Sequence, residues 1–222
     1  MSRALKIAAL LPGLVALAAC DIEISGHSRI NGAVHVAPGV QTGEVSTVNG
    51  AVEIGAKATV TDVRTVNGGL SLGEGASAHS MRTVNGAVEL GAESHVSGSV
   101  RTVNGALHLA RGARVDGALA NINGSITVDA AHVVGRLRTV NGSVALLNGA
   151  HVEGGILIEK PHGFFNFNSS APPRVVIGPD VSVDGTLRFE REVRLYVSDR
   201  ARHIGPVEGA TPISYQGDTP PE

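Results

Sequence analysis

Four arginines, Arg64, Arg82, Arg101 and Arg138, each stand three residues ahead of an asparagine that is followed by glycine. Ser46 and Ala120 take the same place ahead of Asn49 and Asn123. A guanidinium is permanently charged and presents a rigid fork of donors suited to carboxylate and phosphate groups. If the spacing brings these residues into one column, three of them stand one above another as a stripe of like charge. Such a stripe repels itself and favours an anionic partner: a phosphate, a lipid A-type headgroup or an acidic polysaccharide. The alternative is a solvated face neutralised by nearby acids.

A second series, Thr59, Ser77, His95, Arg114, His132 and His151, keeps its own register. His132 and His151 would be neighbours, which suggests a metal. Zinc, however, needs three or four converging ligands, and Arg114 interrupts the series. The series is therefore read as an exposed, partly titrating column, with no metal and no cofactor. Glu53 and Glu89 would lie two coils apart, ~9.6 Å at the spacing of paired strands, near the upper end for the two carboxylates of an inverting glycosidase. Their column runs His35, Glu53, Ser71, Glu89, His108, Thr127, Ala145, which is the variation of an outward surface. No nucleophile elbow, phosphate loop or metal-ligand spacing accompanies them. The expectation is a protein that is not an enzyme.

What would align these residues is a repeat. Thr-Val-Asn-Gly stands at 47–50, 65–68, 83–86, 102–105 and 139–142, with relaxed copies at 29–32 and 121–124. Its asparagines are Asn31, Asn49, Asn67, Asn85, Asn104, Asn123 and Asn141, in steps of 18, 18, 18, 19, 19 and 18. A fixed short period is the mark of stacked coils. Within one coil, apolar residues alternate with polar ones over very short runs: Val88 and Leu90, then Val96, then Val100 and Val103, with Gly86, Gly91 and Gly98 between. That pattern predicts three short strands per coil separated by sharp bends. β-Branched residues dominate and no 3–4 spacing develops, which argues against helix.

The predicted fold is all-β: a single-stranded parallel β-solenoid, with the right-handed sense usual for a β-helix and three strands per 18–19-residue coil. One inward column is Val34, Val52, Leu70, Val88, Leu107, Ile126 and Val144; another is Val63, Met81, Val100, Leu119, Leu137 and Ile156. Asn-Gly is also a strong hairpin signal, but segments this short, three to a period, do not pair as independent hairpins. The asparagines are read as a structural corner, stacked into a ladder that satisfies buried amides. The glycine after each one would permit the corner dihedrals. The alternative is an outward, ligand-binding asparagine column.

Around the coils, 1–19 reads as a signal segment: Arg3 and Lys6 precede an apolar run too short to span a bilayer. It ends Leu17, Ala18, Ala19, Cys20, which resembles the lipobox of bacterial lipoproteins, and Cys20 is the only cysteine among 222 residues. The resemblance implies acylation of Cys20 and a lipid-anchored protein of the bacterial cell envelope, periplasmic or surface-facing. Asp21 resembles an inner-membrane retention signal, a rule that varies between bacteria, so inner and outer membrane both stay open. Residues 20–28 lead into regular coils at 29–158. A Phe-rich insert follows at 159–173, with Phe164, Phe165 and Phe167 either covering the solenoid side or offering an apolar patch to a partner. Residues 174–208 form final coils and a polar cap, and 209–222 reads as a disordered tail. Without Arg3 and Lys6 the formal net charge moves from −2 to −4, which gives no nucleic-acid footprint. No tryptophan, four Phe and two Tyr against 29 Gly leave only a thin aliphatic core.

The stacked Val/Leu/Gly coils from Arg29 to about Val152 resemble bactofilins and predicted cell-surface adhesins built on repeated Val-Asn-Gly coils. Bactofilins polymerise end to end, so the resemblance implies self-assembly as one possible behaviour. The lipoprotein signal and polar last coil depart from that pattern. They favour a non-enzymatic structural or adhesion module that contacts an anionic polysaccharide or an envelope protein. A degenerate carbohydrate-active β-helix is the third reading.

Overall fold

A computed structural model describes residues 27–161 and 171–221. The signal segment, Cys20 and the three phenylalanines of the insert lie outside the described residues. Those described form strands, turns and bends without helix, coiled as a β-solenoid of about 9 turns of about 19 residues. Every strand pair is parallel and joins one coil to the next. The first sheet has ten strands, from His27–Asn31 to Val207–Glu208. The second also has ten, from Val34–Val36 to Ile213–Tyr215, and the third seven, from Ser77–Ala78 to His203–Ile204.

The local reason is visible in any three-residue strand. In Val88–Leu90 the two aliphatic side chains are buried and Glu89 between them is exposed, because successive side chains of a strand leave opposite faces. The register is exact by coil: Val52 opposite Leu70, Leu70 opposite Val88, Val88 opposite Leu107. Equivalent residues therefore pile into aliphatic columns, and a single hydrophobic cluster runs from Val34 to Leu195. Small residues complete it, since Ala58, Ala76, Ala113, Ala131 and Ala150 are fully or almost fully buried before the third sheet.

Three features of the Thr-Val-Asn-Gly corner differ from expectation. First, its asparagines form a ladder, but an exposed one. Each Nδ2 donates to the Oδ1 of the asparagine one coil earlier, from Asn49 on Asn31 (3.0 Å) to Asn141 on Asn123 (2.9 Å), without a break. The buried polar residue is the threonine two places before. Thr47, Thr65, Thr83 and Thr102 are at most 4% exposed, and each hydroxyl donates at 3.0–3.1 Å to a glycine carbonyl of the preceding coil. Second, the valine points outward, at Val48, Val66 and Val84. Val103 is only half-buried. A chain that buries Thr and the strand residue two places before it (Val63, Met81 or Val100) has no inward place left for the valine.

Third, the positive dihedral expected of the corner glycine is present at Gly32, Gly50 and Gly124 (φ 102, 157 and 119°), while at Gly68, Gly86, Gly105 and Gly142 close approach alone excludes a side chain. A Cβ at Gly68, which is not in the left-handed region, would overlap the carbonyl oxygen of Gly50 directly beneath it. A regular left-handed corner follows the second sheet, where Gly39, Lys57, Gly75, Glu93, Gly112 and Ala130 have φ between 47 and 73°.

The stretch 209–222, expected to be a disordered tail, carries a last strand, Ile213–Tyr215, paired with Arg194–Ser198. Tyr215 is 5% exposed and packs with Tyr196 and Val176 on the outer side of the second sheet. The segment after it is tied back by Arg174, whose guanidinium donates to the carbonyls of Pro220 (3.4 Å) and Pro221 (2.8 Å). One buried aromatic is enough to seat a stretch whose composition reads as tail.

Candidate functional site

The first sheet brings the four arginines into one outward column. Ser46 pairs with Arg64, Arg64 with Arg82, Arg82 with Arg101, Arg101 with Ala120 and Ala120 with Arg138. The arginines are not equivalent. Arg64 sits 3.7 Å from Glu44 and 3.8 Å from Asp62, and Arg138 donates to Glu159 at 2.6 Å. The side chains of Arg82 and Arg101 have no ion pair and no hydrogen bond among the described residues. Of the two sequence alternatives, the neutralised face therefore describes the ends of the column and not its middle.

Beside the arginines runs the outward valine column, continued by Ile122 (42% exposed). Where Ala120 replaces arginine the surface dips into an open groove of about 440 Å³. Its floor is Ala118, Ala120 and Ile122. Arg82 and Arg101 stand to one side, and Arg138 with Glu159 to the other. A second groove of about 410 Å³ follows on the same sheet, between Arg136 and Arg188. The first sheet thus presents guanidinium groups next to aliphatic surface, an arrangement that accepts an anionic group carried on a partly apolar body.

The histidine series also stacks as expected, His95 opposite Arg114, Arg114 opposite His132, His132 opposite His151. The rings of His132 and His151 lie 4.7 Å apart and 5° from parallel. What sequence reasoning missed is the acid that each histidine meets. His95 Nε2 is 2.8 Å from Asp116, His132 Nε2 is 2.7 Å from Glu153 and His151 Nε2 is 2.8 Å from Asp184. Each acid lies two residues past the histidine position of the following coil, so the signal was one coil plus two residues, a separation no local motif displays. Arg114 forms an ion pair with Asp116, Nε to Oδ1 2.7 Å, and donates to His132 Nδ1 at 2.7 Å. The hydrogen bond from His95, and then the charge of Arg114, hold the Asp116 carboxyl below its ordinary value, against the opposing effect of its burial.

The carboxylates considered for hydrolysis gain nothing. Glu53 and Glu89 are exposed and separated by the Ser71 coil, and among the described residues Glu53 pairs with His35 at 3.5 Å. The seven asparagines bond to one another, and the last, Asn141, also accepts from Arg191 at 2.7 Å. Set beside known protein families, curated proteins and solved structures, the chain matches none.

Proposed function

We propose that this chain is a non-enzymatic, lipid-anchored β-solenoid of a bacterial cell envelope, a structural or adhesion module whose first sheet contacts anionic glycan. The observation that carries this reading is the pair Arg82 and Arg101. They stand on adjacent coils, free of carboxylate partners among the described residues, at the edge of an apolar-floored groove. Two unpaired like charges at the spacing of paired strands, ~4.8 Å, lower their mutual repulsion by sharing a polyanion. Sugar rings bearing carboxylates fit the composition of the groove, since they offer an apolar face and an anion together. The lipobox-like Leu17 to Cys20 supports the anchor.

The test is binding of alginate or polygalacturonate by the wild-type chain and by the Arg82→Gln/Arg101→Gln double variant. A hydrogen bond to a charged group contributes about 1.5–3 kcal/mol, roughly tenfold or more in affinity. The double variant should accordingly bind at least about a hundredfold more weakly, and wild-type binding should fall with salt. Equal, salt-insensitive binding by both proteins refutes the reading. The same titration against vesicles of anionic lipid separates a glycan from a headgroup.

A bactofilin-like self-assembling scaffold is the second reading. The end strand His27–Asn31 favours it, being exposed along its whole length with Ile30 74% accessible. Static light scattering that reports a monomer at high concentration removes it.

A further inference from the structure

The third sheet carries a feature independent of the arginine face. His132, His151 and Glu153 each offer a ligand atom, and the three atoms lie within 4.8 Å of one another. The sequence supplies two histidines of one column. The fold adds the carboxylate, because Glu153 follows His151 by two residues and leaves the same outer face of the strand. Three converging donors are the number a zinc site requires from protein, with a fourth position left for water or a further ligand. Asp184, hydrogen-bonded to His151 Nε2 at 2.8 Å, is the adjacent carboxylate that orients this ring.

We propose that His132, His151 and Glu153 bind one divalent cation of the zinc class. Two imidazoles and one carboxylate select a borderline ion over magnesium or calcium, which take all-oxygen sets. The side chains are between 30 and 42% exposed, so the rings are free to turn inward by the small amount that brings their nitrogens to bonding distance. The backbone of the column already fixes the coil-to-coil spacing. Its parallel register (His132 opposite His151) means that little of the site has to be organised when the ion arrives.

One neighbour opposes it. Arg114 can only donate, so its 2.7 Å contact makes His132 Nδ1 the acceptor and places the ring proton on Nε2, facing Glu153. An ion on Nε2 requires the proton on Nδ1 instead, and Arg114 must then give up this contact and keep only Asp116. Arg114 therefore competes with the metal both through the tautomer and through its charge.

Isothermal titration of the purified chain with ZnCl₂ tests the proposal, with circular dichroism and a thermal melt to show that each variant is folded. The expected result is one saturable zinc per chain, with affinity reduced at least about tenfold in His132→Gln, in His151→Gln and in Glu153→Gln. MgCl₂ should give no saturable binding. Arg114→Met should bind zinc more tightly than wild type, a change that general loss of structure does not produce. The proposal is overturned by absence of saturable zinc binding, by affinity that survives in a folded His132→Gln/His151→Gln double variant, or by weaker binding in a folded Arg114→Met protein.

Discussion

Asn121 occupies the place that threonine holds in five other coils, and replacing it with threonine is the sharpest test of how the corner is held together. The side chain is 3% exposed. Its Nδ2 donates to Gly124 O at 3.0 Å and reaches Gly105 O at 3.4 Å, while its Oδ1 is buried without a partner. A buried acceptor left unsatisfied costs about 1–3 kcal/mol, and the amide bond to Gly124 contributes about 0.5–1.5. Asn121→Thr removes the orphan oxygen, gives up that amide bond, and supplies the short hydroxyl that elsewhere meets the preceding coil's glycine carbonyl. The balance favours the variant by about 1 kcal/mol. The complementary change, Thr83→Val, keeps shape and removes the hydroxyl that donates to Gly68 O, so it should cost about 1–3 kcal/mol. Urea denaturation followed by far-ultraviolet circular dichroism reads both as opposite shifts of the midpoint at equal slope. A Thr83→Val protein as stable as wild type, or a destabilised Asn121→Thr, refutes the account of the corner.

Adjacent glycines separate close approach from backbone freedom. Gly68→Ala places its methyl against Gly50 O and should destabilise by about 3 kcal/mol or more, whereas Gly69→Ala meets only Ala87 O at 3.4 Å and should change stability by less than about 1 kcal/mol in the same denaturation assay. Asp116 has a lowered folded pKa, so its stabilising effect is complete above its ordinary value of 3.8 and is lost as pH falls through the lower folded value. The stability gap between wild type and Asp116→Asn, measured by urea melts from pH 6 to 2, should therefore narrow below about pH 4; a constant gap counts against the His95 contact. Cys20→Ser should abolish incorporation of labelled palmitate and release the chain from the membrane fraction, and retained label refutes lipidation at that residue.

The coil was legible because its period is fixed. Once Asn31 through Asn141 set the register, the columns through Val88 and Met81 followed from counting, and so did the stacking of Arg64, Arg82 and Arg101. Orientation at the corner was not legible. Thr, Val and Asn alternate between polar and apolar in a way that fits either face, and the choice depends on which residue can reach the carbonyl of the coil beneath. The pairing state of each arginine was equally hidden. Glu44 and Glu159 come from different coil positions, and only the path of the chain shows that they meet Arg64 and Arg138 and leave the Arg82 and Arg101 side chains without a partner among the described residues. His132 with Glu153 shows the same limit, since the partners sit 21 residues apart and share no local motif. Tyr215 was missed because a tail of Gly, Pro and Asp gives no sign that one aromatic will find Tyr196.

The asparagine ladder gives the rod a direction. Its amides all point the same way, donor toward the earlier coil and acceptor toward the later one, so their dipoles add along the axis and polarise one another, as peptide dipoles do in a helix. The partial positive end lies at Asn31 and the partial negative end at Asn141. A guanidinium sits at the negative end: Arg191 donates to Asn141 Oδ1 at 2.7 Å and to Val140 O at 3.2 Å. It closes the series as a basic side chain closes a helix C-terminus. The two ends of the ladder are thus chemically unlike. Three more strands of the first sheet, Ile156–Ile158, Leu187–Phe189 and Val207–Glu208, lie beyond the Asn141 coil, so the negative end of the ladder is closed inside the solenoid while the positive end at Asn31 belongs to the first coil described.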